Sequence, residues 1–471
     1  MRQQAGFSVH VVTRLAGIVA AAVILLAPAL WNGFPLLQFD TGGYFARWHE
    51  GKLEESRSTV YGAFLQFLSW PNFWPVVVAQ TLFTVWILWL LLRSLDLSGR
   101  ARVLPITVAA LSILTALPWL TSQLITDIMA GLAVLALYLV VMRGGKLRVW
   151  ERAALMAFIA FAVATHNATL AVLMLLVAAG LVFALLDRKL VPLAGVRRGA
   201  LALALGAVLL VTTNYAVAGR LAWTPGGIAL MFGRMLNEGI AQRFLTEHCP
   251  DPRFKLCDHI SELPNDADKF FWGESVFDRL GRFRAMNVEM ATIVLESLAA
   301  YPWEQIKGAA FATGQQLVMV NTGYGVNTEV WHTYGMIGNY APQMEPAMEA
   351  AHQQQHDLNF AAINRVHVPV AYLAMLVLIA VIALASRHER LARVRHLAIA
   401  VALALLANAF VCGALSNPHD RYGARMVWLA VLVLLLIPWT NAASPPASEV
   451  RDTSRQPLKR ASEAKEALPT L

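Results

Sequence analysis

Long stretches without a single charged residue recur along the chain, and they constrain its fold more than any motif does. Leu15 to Leu37 carries no charge, nor does Trp74 to Leu92, nor Ala168 to Leu186. A run of ~20 such residues is what a helix needs to cross a bilayer, whose interior offers backbone groups no partner except one another. Ten segments fit, at about 13–31, 72–92, 103–119, 126–142, 153–166, 168–186, 199–218, 368–386, 397–415 and 425–440. With 57% hydrophobic and only 14% charged residues, and a mean hydropathy of +0.53, the chain is too apolar for a soluble domain of its length. The expected fold is an all-α integral membrane protein of about ten transmembrane helices.

Charge then orients the helices. The net charge of +8 and pI near 9.5 would point to nucleic acid in a soluble protein. Here the Lys and Arg residues gather in every second loop: Arg93, Arg100 and Arg102; Arg143, Lys146, Arg148 and Arg152; Arg188, Lys189, Arg197 and Arg198; Arg387, Arg390, Arg393 and Arg395. The loops between, Leu120 to Ile125 and His166 to Ala168, have none. No nucleic-acid partner is therefore expected. The positive-inside rule puts both termini of this multi-pass chain in the cytoplasm, consistent with the even count of spans. Arg14, an apolar core and Ala27-Pro28-Ala29 also fit a cleavable signal, but the long run favours a retained anchor.

This orientation divides the chain into an N-terminal membrane module of seven helices (1–218) with a first outer loop at 32–71, an extracytoplasmic segment (219–367), and a C-terminal module of three helices (368–440). The tail from 441 to 471, rich in Ser, Pro, Lys and Glu, is expected to be disordered and cytoplasmic. The outer segment is expected to be mainly helical, with helical patterning at 277–298 and 301–320 and a Gly/Asn turn at Asn321 to Asn327. Within it, Cys249 and Cys257 stand eight apart in HCPDPRFKLC. A disulfide suits an oxidising compartment; a zinc site with His248 and His259 is the rival, though the spacing matches no common zinc template. Cys412 lies in an apolar helix and reads as packing.

The residues that carry chemistry fall where apolar runs stop. Asp40 follows the first run in LWNGFPLLQFDTGGY, next to a Gly42-Gly43 pair that lets a backbone approach a ligand. A carboxylate held above a bilayer can take a proton from a hydroxyl; equally, Asp40 can cap the amphipathic stretch 41–50. Asp127, after TSQLIT, has the same two readings. His166 turns the chain at the same face, as a turn residue or a functional one. The stretch SNPHDRYGAR, Ser416 to Arg425, is the densest cluster, with His419, Asp420, Arg421, Tyr422 and Arg425. If the last helix starts early, Arg421 and Arg425 share one face and can grip a phosphate; otherwise the loop is a headgroup-level ion pair. Arg365 and Tyr44 are further outer-face candidates for binding, and the WTPGG turn at 223–227 for lining a pocket. No Rossmann fingerprint, P-loop, HExxH, GxSxG or internal repeat is present.

An outer-loop Asp followed by an amphipathic stretch (FDTGGYFARWHEGKLEESRSTVYGAFLQFL), a second Asp at the next outer turn (TSQLITD), a polar HN turn and a closing RYGAR together resemble the GT-C superfamily of polytopic membrane glycosyltransferases. WNGFPLL, DTGGY, TPGG and SNPHDRYGAR are similar to segments of a bacterial subgroup. The resemblance implies a polyprenyl-phosphate-linked sugar donor, a lipid or glycan acceptor in the cell envelope, inversion at the anomeric carbon and an acidic base. It makes Asp40 the base, Arg421 and Arg425 the donor-phosphate clamp, and Asp127 an acceptor or metal contact. No cofactor is implied; the first loop lacks the paired acids that would support a divalent metal, and the large outer segment sits between the seventh and eighth helices, where the family would have it at the C-terminus. Two other classes stand beside this one: a lipid or polysaccharide transporter or flippase, and a non-catalytic membrane subunit.

Overall fold

A computed structural model of the chain describes residues 2–326 and 329–441. The expected tail therefore lies outside the described residues, apart from Asn441. Among the described residues there are helices, turns and two isolated β-bridges, and no strand.

The N-terminal half begins with α1 (Arg2–Asn32), two short helices α2 (Thr41–Glu50) and α3 (Thr59–Phe67), and α4 (Trp74–Ser94). It continues through α5 (Val103–Leu114), α6 (Leu117–Ser122), α7 (Asp127–Met142), α8 (Val149–Thr165), α9 (Asn167–Leu186) and α10 (Leu193–Ala218). After α10 come α11 (Gly227–Asn237), α12 (Ile240–His248), α13 (Ala267–Trp272), α14 (Val276–Arg279), α15 (Arg282–Ala300) and α16 (Pro302–Val318). The chain then forms α17 (Trp331–Tyr340), α18 (Glu345–Glu349), α19 (Phe360–Leu384), α20 (Glu389–Ala409), a π-turn (Phe410–Ala414) and α21 (Asp420–Leu436).

All ten expected apolar segments are helical, and seven helices are long and apolar enough to cross a membrane: α1 from Val12, α4, α9, α10, α19, α20 with its π-turn, and α21. The other three fall short for visible reasons. The segment 103–119 is broken: Thr115 is extended, and Pro118 starts the separate α6 because its ring cannot continue a helix interior. Helix α7 has 16 residues, and α8 has 17 with Glu151 and Arg152 near its start.

The bundle core lies between α7, α8, α4, α20 and α21, around Leu132, Leu139, Ile159, Val401, Trp428 and Leu429. A Cβ on Gly131 would stand 2.8 Å from the Trp428 ring, so α7 and α21 touch without a gap one turn beyond Asp127. Leu25 and Ala21 bring α1 into this core.

The stretch 219–367 does not form one unit. Helices α11 to α15 enclose their own core of Phe232, Met235, Phe244, Phe270, Phe277 and Ile293, clamped by a Cys249–Cys257 disulfide. Helix α17 and the chain to Ala351 instead pack on the first loop, in a cluster with Phe34, Leu37, Tyr44, Phe45, Tyr61 and Phe73. Helix α16 lies against the π-turn and the start of α21. It comes so close that a Cβ on Gly413 would stand 2.5 Å from the Ala312 carbonyl, and one on Gly423 1.9 Å from that of Met319.

Candidate functional site

Backbone bonds bring the first two acidic turns together. Leu36 N–H donates to the Ser122 carbonyl (2.9 Å) and Leu124 N–H to the Leu36 carbonyl (3.0 Å), while the Thr41 hydroxyl donates to the Leu124 carbonyl (2.9 Å). The loop after α1 is thus laced to the α6–α7 turn. Gln353 completes the lacing from the far side: its side chain accepts from Leu37 N–H (2.9 Å) and donates to the Leu37 carbonyl (2.8 Å).

Asp40 occupies the N-cap position of α2, yet its side chain makes no capping bond. Of the two sequence readings, the cap is the one the geometry leaves empty. The carboxylate instead lies between two guanidinium groups: Oδ1 pairs with Arg57, and Oδ2 accepts from Arg421 Nη1 at 2.6 Å across 381 positions of chain. Gly42 and Gly43 make room for protein here, where a ligand was expected. A Cβ on Gly42 would stand 2.7 Å from the Thr333 backbone, and one on Gly43 2.9 Å from Arg57 Nε.

Asp127 opens α7 with its side chain 3% exposed, and its neighbour Thr126, in the N-cap position, makes no side-chain capping bond. It receives Arg421 Nε at 3.2 Å on Oδ2 and Arg425 Nη1 at 3.4 Å on Oδ1. Helix α21 starts at Asp420, five residues before the sequence pattern suggested, so Arg421 and Arg425 do share one face. They meet on Asp127. Arg425 is fully buried and fixed further by the Asn408 side-chain oxygen (2.9 Å) and the Cys412 sulfur (3.2 Å). Arg421 and Arg57, at 10% and 15% exposure, keep an open edge.

The site contains three guanidiniums and two carboxylates, a surplus of one positive charge. Burial opposes ionisation of Asp40, but the positive fields of Arg57 and Arg421 win and hold its carboxyl down at about 2. His166 stands at the turn between α8 and α9. Its Nδ1 is buried without a hydrogen-bond partner among the described residues.

The remaining candidates scatter around this centre. Tyr44 is buried beneath Arg57, whose Cζ lies 5.7 Å from its ring, and its hydroxyl makes a long 3.4 Å bond to the Ser56 carbonyl. His419 stacks on Tyr324 (5.1 Å between centroids), and its Nε2 faces Asp268 at 3.5 Å. Arg365 stands exposed on α19, with no bond or ion pair to the cluster. The WTPGG turn buttresses the Arg57 loop: Ser56 N–H donates to the Pro225 carbonyl at 2.9 Å. Asn321, from the Gly/Asn turn, binds the Asp420 carboxylate through both its backbone N–H and its side chain at 2.9 Å, steadying the start of α21. A small crevice of ≈ 10 Å³, lined by Trp119, Gln123 and Tyr324, touches Asp127 and Arg421.

Sequence reasoning missed Arg57. It sits in GKLEESRS, where one more charge in a polar loop has no distinguishing mark. No group of three or more His, Cys, Asp or Glu side chains gathers as a metal site among the described residues. Asp40 and Asp127 are bridged by the Arg421 guanidinium. No family model, curated protein or solved structure matches the chain.

Proposed function

We propose that the protein is a GT-C-like membrane glycosyltransferase. In this reading ten helices cross a bacterial inner membrane, both termini are cytoplasmic, and the Asp40–Arg421 end faces outward. A sugar passes from a polyprenyl-phosphate donor to a lipid or glycan acceptor with inversion. The observation that carries the reading is the buried cluster with more guanidinium than carboxylate, open at Arg57 and Arg421 and level with the helix ends. That is where the phosphate of a lipid-anchored donor would lie while its tail stays among the helices.

The ion pairs suggest how the base works. Between two guanidiniums, Asp40 is a weak base. A donor phosphodiester carries one negative charge spread over two non-bridging oxygens, each able to accept from a guanidinium; it engages Arg421 and Arg57 together, and Asp40 is released toward the acceptor. Asp40 then removes the acceptor hydroxyl proton as the oxygen attacks the anomeric carbon. The bond from that carbon to the phosphate oxygen breaks, and the phosphate leaves with the electron pair, its charge met by the two guanidiniums. Asp127 and fully buried Arg425 position Arg421.

A transporter needs a polar path through the bundle. The apolar core that α7 and α21 share below the cluster, around Leu132, Leu139, Leu429 and Leu432, favours the transferase. The test is Asp40→Asn in protein reconstituted in nanodiscs and supplied with polyprenyl-phosphate sugars. Transfer should fall by about 100-fold or more, the usual worth of a positioned base, while bound donor, read by mass spectrometry of copurifying lipid, is retained. Undiminished transfer in that variant removes the base.

A further inference from the structure

A second polar cavity lies outside the ion-pair centre. It is a cleft of ≈ 340 Å³ between the end of α11, the start of α13, α16 and the 417–418 loop, a size within the range of small-molecule sites. Four amide side chains line it, Asn237, Asn265, Gln315 and Asn417, with the carboxylates of Glu238, Asp266 and Asp268. Phe311 stands at its mouth, 64% exposed. On its wall is Arg234, 1% exposed, whose terminal nitrogens bind Glu238 and Gln305 while its Nε has no partner among the described residues. Glu238 Oε1 is likewise buried without one.

We propose that this cleft binds a sugar ring. Vicinal hydroxyls both donate and accept, and match planar amides and carboxylates; the C–H face of the ring matches an aromatic side chain. Other ligands fit less well. Three carboxylates against one already paired Arg234 repel phosphate, and the four amides outnumber the acids a cation would want. The cleft is tied to the centre: Asn417 binds Asn237 (2.8 Å) and Asp268 (3.3 Å), and four residues later the same segment carries Arg421 to Asp40. Phe311 also borders the exposed apolar stripe of α16 formed by Trp303, Ile306 and Val318, so the cleft opens beside a surface suited to lipid. That the bound sugar belongs to the acceptor rests on the transferase reading; the sugar site itself does not.

The experiment is saturation-transfer NMR on the full-length protein in nanodiscs, free of sugar detergents, with methyl glycosides of glucose, mannose, galactose and N-acetylglucosamine. At least one should show transfer to its ring protons. Phe311→Ala with Gln315→Ala, both exposed and so harmless to folding, should reduce that signal at least fivefold, and Asp40→Asn should leave it unchanged. Octyl glycosides below their micelle concentration distinguish the source: tighter binding marks a lipid-linked sugar, equal binding a free glycan, and both support the site. Absence of transfer from all four sugars, or a signal unaltered in the double variant, overturns it. A failed base with intact sugar binding, or the reverse, separates the two proposals.

Discussion

The two ends of the bundle both bury an arginine–carboxylate contact, and they do it differently. At the basic-loop end Arg93 meets Glu151 with both guanidinium nitrogens on both carboxylate oxygens, and Arg148 N–H donates to the same carboxylate at 2.8 Å. The pair is neutral, local and saturated, and Arg93 is 22% exposed with water within reach. At the other end two carboxylates are shared among three guanidiniums drawn from α21 and the first loop, with a charge left over. A neutral, saturated pair is sufficient for holding helices α4 and α8 together. A surplus positive charge kept partly dry has no structural use that a neutral pair would not serve better, because buried charge is costly unless compensated. The difference leaves the second cluster with one guanidinium charge that its two carboxylates do not match.

The sharpest way to break this comparison is to remove the buried carboxylate at each end. Asp127→Asn leaves fully buried Arg425 without its counter-charge, and breaking a buried pair typically costs ~3–5 kcal/mol. Glu151→Gln strands only Arg93, which can turn to water, and should cost no more than the ~1.5–3 kcal/mol of a charged hydrogen bond. Thermal denaturation of the two variants in the same detergent measures both. Equal losses would mean that the two ends are electrostatically alike.

Packing, by contrast, should not differ between them. Gly423 faces the Met319 carbonyl, and Gly195, at the basic end, faces that of Val141 with a Cβ at 2.3 Å. Gly423→Ala and Gly195→Ala should each destabilise by ~1–3 kcal/mol, since neither neighbour is a side chain that can move aside. Only Gly423→Ala, which displaces the start of α21 and with it Arg421, should also weaken donor-lipid retention, read by mass spectrometry.

Asp40 adds a pH signature. Its carboxyl is held at about 2 against an ordinary 3.8, so the ionised form is favoured by folding. The contribution, about 2 kcal/mol, is fully present above pH ~4 and is lost as pH falls through about 2. The stability gap between the wild type and Asp40→Asn should therefore narrow between pH 4 and pH 2.5 in thermal melts. A gap independent of pH would mean that the carboxylate is not paired in solution.

Much of this centre was legible because apolar runs leave few places for charge. Asp40, Asp127, His166 and Arg421 each stand where a run ends, and alternation of basic loops sorts those ends into two groups. What the runs do not show is depth: Arg421 and Arg425 look alike in RYGAR, yet one keeps an open edge and the other is sealed by Asn408 and Cys412. Nor do they show partners supplied by polar loops. Arg57 and the lacing of Leu37 by Gln353 depend on how loops fold back over the bundle, which no local pattern encodes. The split of 219–367 was hidden for the same reason, since α17 finds its apolar partners in the first loop, nearly 300 positions away.

The smallest expected effect tests whether position, rather than charge alone, defines the cluster. Arg57 and Arg365 are both guanidiniums, one in the loop between α2 and α3 and the other in the first turns of α19. Arg57 is folded onto Asp40; Arg365 projects from α19 with no contact to the centre. A surface charge that touches nothing changes stability by less than ~0.5 kcal/mol. Arg365→Gln should thus melt with the wild type and retain donor lipid within about twofold, whereas Arg57→Gln, leaving Asp40 with one guanidinium, should release most of it. A long-range field drawing anions to this end would make both variants weaken retention alike, and the loss would vanish at 0.5 M salt, where charges ~10 Å apart are screened. Loss confined to Arg57→Gln and persisting in salt would instead tie the anion to direct contact within the cluster.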